Sequence, residues 1–110
     1  MTLPVYIVDA FTTKLFGGNP AAVCPLSNWL PDDVMQSLAA ENNLAETVFF
    51  VKEPGGYRIR WFTPAVEVKL CGHATLASAF VMYTELGYTA GEIVFNSLSG
   101  PLRVSRHNNG

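Results

Sequence analysis

Residues 73–86, HATLASAFVMYTEL, constrain the fold more than any other stretch of the chain. On a helix of 3.6 residues per turn, Ala74, Leu76, Ala77, Ala79, Phe80, Val81, Met82 and Tyr83 leave no wide polar face. A helix that is apolar nearly all round is either covered by protein on every side or spans a membrane. This one is interrupted by His73, Thr75, Ser78, Thr84 and Glu85, and its apolar part falls short of the about 20 residues a span requires. The expectation is a central helix wrapped by protein.

The entry to that helix is chemically unusual. Helices are commonly opened by Ser, Thr, Asp or Asn, whose side chains cap the free backbone N–H groups. Here the entry is Cys71-Gly72-His73, which caps poorly and leaves those N–H groups, with the positive end of the helix dipole, available to an anion. Gly72, lacking a Cβ, admits close approach to the backbone. The dipole disfavours a positive charge on His73, so a neutral imidazole that exchanges hydrogen bonds is expected. The plainer alternative is a tight turn at Gly72 followed by an ordinary first-turn histidine.

At 110 residues the chain has the size of one domain with a single core. A net charge of -2 gives no basic footprint, which argues against a nucleic-acid partner. No basic segment followed by an apolar run opens the chain, so the expected location is cytoplasmic. In that compartment Cys24 and Cys71 are expected as free thiols. His73 and His107 lie far apart in sequence without ligands at metal-binding spacing, so no metal site is expected.

In chain order, residues 3–10 read as a first strand and 11–20 as turn chemistry around Gly17-Gly18-Asn19-Pro20. A short strand over 21–26 precedes a helix that begins at Pro31, with Asp32 and Asp33 in its first turn, and ends near Asn42-Asn43. Val34, Met35, Leu38 and Ala39 give this helix one apolar face. Residues 47–52 and 57–62 form a hairpin about Pro54-Gly55-Gly56, with Tyr57, Ile59 and Trp61 on one face and Arg58, Arg60 and Phe62 on the other. A bend at Thr63-Pro64 leads to a strand over 66–70. The apolar helix follows, with Gly87 as a C-cap, and then a last hairpin over 92–98 and 102–106. About seven short strands and two helices define an α+β class, with an antiparallel sheet curled into a barrel around the buried helix.

Four ordered motifs carry a family resemblance. They are Asn19-Pro20-Ala21-Ala22-Val23, Asn43-Leu44-Ala45-Glu46-Thr47-Val48-Phe49, Arg60-Trp61-Phe62-Thr63-Pro64, and the run Glu67-Val68-Lys69-Leu70-Cys71-Gly72-His73-Ala74-Thr75-Leu76-Ala77. Together they resemble the N-terminal half of the phenazine-biosynthesis (PhzF-like) isomerases, of the diaminopimelate epimerase-like fold. The resemblance implies two similar domains, each a curled sheet around a central helix, with the active site between them. It also implies cofactor-independent proton-shift chemistry on a small carboxylate-bearing cyclic or amino-acid-like substrate. By the same resemblance Glu46 is the general acid/base, Gly72 and His73 bind the substrate's carboxylate and polar groups, and Asn19 lies near the substrate.

The residues around Glu46 suit that role. A carboxyl at a strand start flanked by Leu44, Ala45 and Val48 is open to desolvation, which raises its pKa towards the range a proton shuttle needs. The alternative is a solvated strand-end glutamate. Glu67 reads as structural or as a surface residue, and Cys71 as packing in preference to a catalytic thiol.

The resemblance implies members of more than twice this length, so residues 1–110 are expected to be a single domain matching the N-terminal half, without the second domain. The other wall of the cleft is expected either from that missing domain or from a second copy of the chain about a two-fold axis. The rival expectation is a non-catalytic half-domain that binds a small anionic metabolite or a partner subunit.

Overall fold

The computed structural model describes residues 3–8 and 20–105. Its elements run β1 (Tyr6–Val8), β2 (Ala21–Leu26), α1 (Asp32–Asn42), β3 (Glu46–Glu53), β4 (Gly56–Phe62), β5 (Glu67–Val68), α2 (Gly72–Thr84), β6 (Glu92–Ser97) and β7 (Gly100–Ser105). Helix α1 starts one residue later than expected, with Pro31 as its N-cap, and it ends on Asn43 in the left-handed conformation (φ 52°). Its buried side chains are Met35 and Ala39, whereas Val34, expected on the same face, is exposed. The expected strand over 66–70 shrinks to Glu67–Val68. The Thr63 hydroxyl accepts the N–H groups of Ala65 and Val66 and donates to the Val66 carbonyl, closing a tight loop that returns only two residues to β4.

The α+β class holds, but the sheet is mixed and open, not an antiparallel barrel. Its order is β1-β2-β3-β4-β6-β7, with β5 also on β4. Strands β2 and β3 pair in parallel from Ala21↔Glu46 to Leu26↔Val51, and β4 and β6 pair in parallel at Tyr57↔Phe95 and Arg58↔Asn96. The cause is connectivity. In each parallel pair a helix lies between the two strands in sequence, α1 in one case and α2 in the other, and a helical crossover returns the chain in the same direction.

The two helices lie with two separate cores, which the inner strands supply from opposite sides. Val23, Val48, Phe50, Ile59, Trp61, Ile93 and Phe95 pack with Ala74, Ala77, Val81 and Met82 of α2. Cys24, Phe49 and Phe62 pack with Met35 and Ala39 of α1. Because β2 and β3 are covered on both sides, they read as continuous apolar runs and not as alternating ones.

Helix α2 is therefore less enclosed than its sequence suggests. Seven of its residues are buried, but Leu76 and Phe80, one turn apart, are each 45% exposed and form an apolar stripe. The helix ends where Gly87 takes a positive φ (73°), two residues past its C-cap, Glu85.

On the α1 side Arg60 ties three elements together. It meets Glu67 through two hydrogen bonds (2.7 and 2.8 Å) and Asp32 at the start of α1 through a third (3.0 Å). Its guanidinium also lies over the rings of Trp29 and Phe62. Glu67 is thus a structural partner of β4, as expected.

Where β4 first meets β6, Gly56 has no room for a side chain, since a Cβ there would collide with the Val94 carbonyl oxygen and crowd its side chain. Gly56→Ala should therefore cost about 1–3 kcal/mol, the usual range for overpacking a filled site. Urea denaturation of the variant checks this. The exposed Gly55→Ala next door is the comparison, with open space around it but a positive φ (87°).

Candidate functional site

Three titratable side chains converge where β3 begins and α2 begins. Glu46 is the first residue of β3, and its neighbour across the sheet is Ala21, at the start of β2. Cys71 is the N-cap of α2, followed by Gly72 and His73 in the first turn. The Cys71 Sγ lies 3.8 Å from His73 Nδ1. The Glu46 carboxyl stands beside both, close enough to Cys71 and His73 for each to alter its proton affinity. Of the expected site residues, Glu46, Gly72 and His73 are therefore brought together, while Asn19 lies outside the described residues.

The helix start has the character expected of it. Cys71 makes no side-chain capping hydrogen bond, and no acidic residue occupies the first turn. A Cβ placed on Gly72 would meet nothing within 4 Å, so the space in front of this turn is open. That separates two roles for the glycine. If Gly72 serves only the fold, Gly72→Ala should be neutral or stabilise the helix by roughly 0.5–1 kcal/mol. If it serves a ligand, the same variant should keep that stability and lose affinity for a small carboxylate. Thermal denaturation and calorimetric titration on one sample read both.

The surroundings of Glu46 raise its affinity for a proton. Burial pushes its carboxyl above the ordinary value, opposed by the neighbouring His73 and then by the Cys71 thiol, which both favour the carboxylate. Its Oε1 is buried without a hydrogen-bond partner among the described residues. Burial also raises Cys71, and Glu46 adds to that rise, while the N–H groups of Ala74 and His73 at the helix start act the other way.

The raised Glu46 pKa has a consequence for stability. The folded state holds the proton to higher pH than the unfolded chain, so the residue's contribution is present below about pH 4.5 and is lost as pH rises through the folded pKa. Glu46→Gln should remove that loss. Denaturation midpoints of the two proteins should converge at low pH, with the variant ahead near neutrality.

Two features of the site were not assigned from sequence. Cys71 packs against the larger core, as expected, but its thiol also belongs to the Glu46–His73 cluster. Thr75, read only as an interruption of the apolar helix, is buried and bonded to Trp61 of β4 and to the Cys71 carbonyl. Among the described residues, no three His, Cys, Asp or Glu side chains are grouped to hold a metal ion, and no helix is long and apolar enough to cross a membrane.

Comparison with known proteins gives the same picture from three directions. The family model described as "Phenazine biosynthesis-like protein" matches residues 8–110. An uncharacterised isomerase of Pseudomonas aeruginosa is 54% identical over 106 residues, which is 96% of this chain and 41% of that protein. The human phenazine biosynthesis-like domain-containing protein is 48% identical over 118 residues, covering 100% of this chain and 41% of its own length. A crystal structure of a phenazine biosynthesis protein of the PhzF family from Enterococcus faecalis superposes with a TM-score of 0.91. That match is 54% identical and covers 98% of this chain and 42% of that one. The chain thus spans about two fifths of the length of these relatives.

Proposed function

Because the chain belongs to the phenazine biosynthesis-like family, we propose that it is the N-terminal half of a two-domain, cofactor-independent isomerase. In this reading Glu46 shuttles a proton between carbons of a small cyclic or amino-acid-like carboxylate. The ionised carboxylate removes a proton from carbon, and the electron pair of that C–H bond moves into the adjoining unsaturated system. The resulting carboxylic acid then returns the proton to a different carbon. No electrons are gained or lost, so no redox partner is required. The N–H groups at Gly72 and the His73 imidazole hold the substrate carboxylate, and Asn19 is a further contact. A cytoplasmic location belongs to the same reading.

The observation that carries this reading is the half-buried Glu46 carboxyl, with one oxygen buried, beside a helix N-terminus that has no side-chain cap. A carboxyl with a raised pKa is suited both to take and to return a proton near neutral pH. Incubation with small cyclic and amino-acid carboxylates in D₂O, followed by proton NMR, tests it. Loss of a carbon-bound proton signal from one of them is the expected result. Binding without exchange would contradict it.

A second reading is a domain that binds a small anion or a partner subunit without chemistry, favoured by the open space at the start of α2. Sedimentation equilibrium bears on the partner: a site shared by two copies of this chain requires a dimer, and binding of a small anion alone does not.

A further inference from the structure

We propose that Thr75 is a positioning residue of this site: its hydroxyl, locked by the indole of Trp61, fixes the Cys71 carbonyl and thereby sets the Cys71 thiol against Glu46 and His73. The geometry begins in the sheet. Trp61 on β4 is the register partner of Val48, two residues along β3 from Glu46. Its Nε1–H donates to Thr75 Oγ1 at 3.0 Å in a fully buried contact. The Thr75 hydroxyl donates in turn to the Cys71 carbonyl at 2.8 Å, and the Thr75 backbone N–H reaches the same oxygen at 3.1 Å. From Cys71 the chain enters the first turn of α2, with the thiol 3.8 Å from His73 Nδ1. The strand pair that carries Glu46 is thus linked to the helix start that faces it by consecutive hydrogen bonds.

Back-bonding of a helix hydroxyl to the carbonyl four residues earlier is common, and Ser78 and Thr84 both do it on this helix. Thr75 differs in two respects. A hydroxyl has one proton to donate, and here it goes to Cys71 O while the indole N–H occupies the oxygen, so the rotor has no freedom left. The carbonyl it holds also belongs to Cys71, whose thiol neighbours both Glu46 and His73. Ser78 holds the carbonyl of Ala74, and Thr84 that of Phe80, an exposed residue further along the helix.

The consequence for proton transfer rests on the reading of Glu46 as the site's acid/base, but the positioning itself is measurable without any substrate. The probe is iodoacetamide alkylation of Cys71 in the whole chain, followed by mass spectrometry across a pH series. Cys24 does not compete, because burial pushes its thiol up to about 12. Facing the Cys71 thiol are Glu46 from β3 and His73 from its own helix, and the wild-type profile should rise only above the ordinary thiol range.

Thr75→Val, which keeps the shape and removes both hydrogen bonds, should move the profile to lower pH and speed alkylation at pH 7 several-fold. Thr75→Ser, which keeps the hydroxyl, should restore the wild-type curve. Glu46→Gln should lower the profile with the linkage intact, since it removes the carboxylate the thiol faces. If Thr75→Val does not fold, Trp61→Phe removes the indole donor and should shift the curve in the same direction.

An unchanged curve in a folded Thr75→Val or Trp61→Phe protein would reduce the linkage to ordinary back-bonding and overturn the proposal. So would an unchanged curve in Glu46→Gln, because the thiol would then not face the carboxyl. A shifted alkylation profile without deuterium exchange would sink the isomerase reading and leave the positioning role standing.

Discussion

On the isomerase reading proposed above, Glu46→Gln should reduce incorporation of solvent deuterium into the substrate by about 10²–10⁴-fold, the usual worth of a positioned acid/base. Glutamine matches glutamate in size and keeps an acceptor oxygen, so the start of β3 and its pairing with Ala21 should survive. What it lacks is a proton that can leave and return. Substrate affinity should change little, because the groups assigned to hold the carboxylate are at Gly72 and His73 on another element. The loss should therefore appear in turnover and not in binding. Equal losses in both would assign Glu46 to substrate binding. The same variant should be more stable than wild type near neutral pH, since it removes a half-buried carboxyl whose pKa is raised by desolvation. Lost activity together with gained stability is the pattern of a residue kept for chemistry.

Trp61→Ala should be the most damaging single change to the fold, at about 3–5 kcal/mol. Trp61 heads the fully buried side chains, and it belongs to the core that contains α2. Burial of about 150–250 Å² of ring surface, at about 25 cal/mol per Å², gives roughly 4–6 kcal/mol as an upper figure. Truncation also strips the Thr75 hydroxyl of its sheet partner. Against a total stability of about 5–15 kcal/mol, this change alone should bring the domain close to unfolding. Leu76→Ala is the control. Leu76 is 45% exposed on the outer stripe of the same helix, and its loss should cost well under half as much. Urea midpoints of the two variants give the comparison.

Much of the fold was legible because local rules and tertiary packing agree. Tyr57, Ile59 and Trp61 fall on the α2 side and Phe62 on the α1 side, as strict alternation requires. Helix α1 ends at Asn43 as expected, whereas the C-cap of α2 is Glu85 and Gly87, expected there, takes its positive φ two residues later.

Strand direction was misread although its signal was present. Residues 21–26, a helix and residues 47–52 already spell a strand-helix-strand crossover, which implies parallel pairing, but the many short strands suggested an antiparallel sheet curled around the apolar helix. The enclosure of α2 was overestimated for another reason. Apolar composition shows that a helix is poor in polar groups, but it does not show which face another element covers, and Leu76 and Phe80 remain open.

At the site, Gly72 and His73 were marked by the poorly capped helix start, and Glu46 by motif resemblance with local desolvation as support. Thr75 and the thiol of Cys71 escaped because their roles depend on Trp61 and Glu46, which lie 14 and 25 residues away in sequence. Pairings of that kind are made by the tertiary fold and leave no local pattern.

The measurement that bears most directly on this account is a carbon-13 NMR titration of the Glu46 side-chain carboxyl in the intact chain, repeated in Cys71→Ala. The account requires a midpoint above the ordinary carboxyl value of about 4.5, moving higher still once the thiol that favours the carboxylate is gone. A midpoint at or below the ordinary value would mean that Glu46 is a solvated strand-end carboxylate, and the proton-shuttle assignment would fall with it.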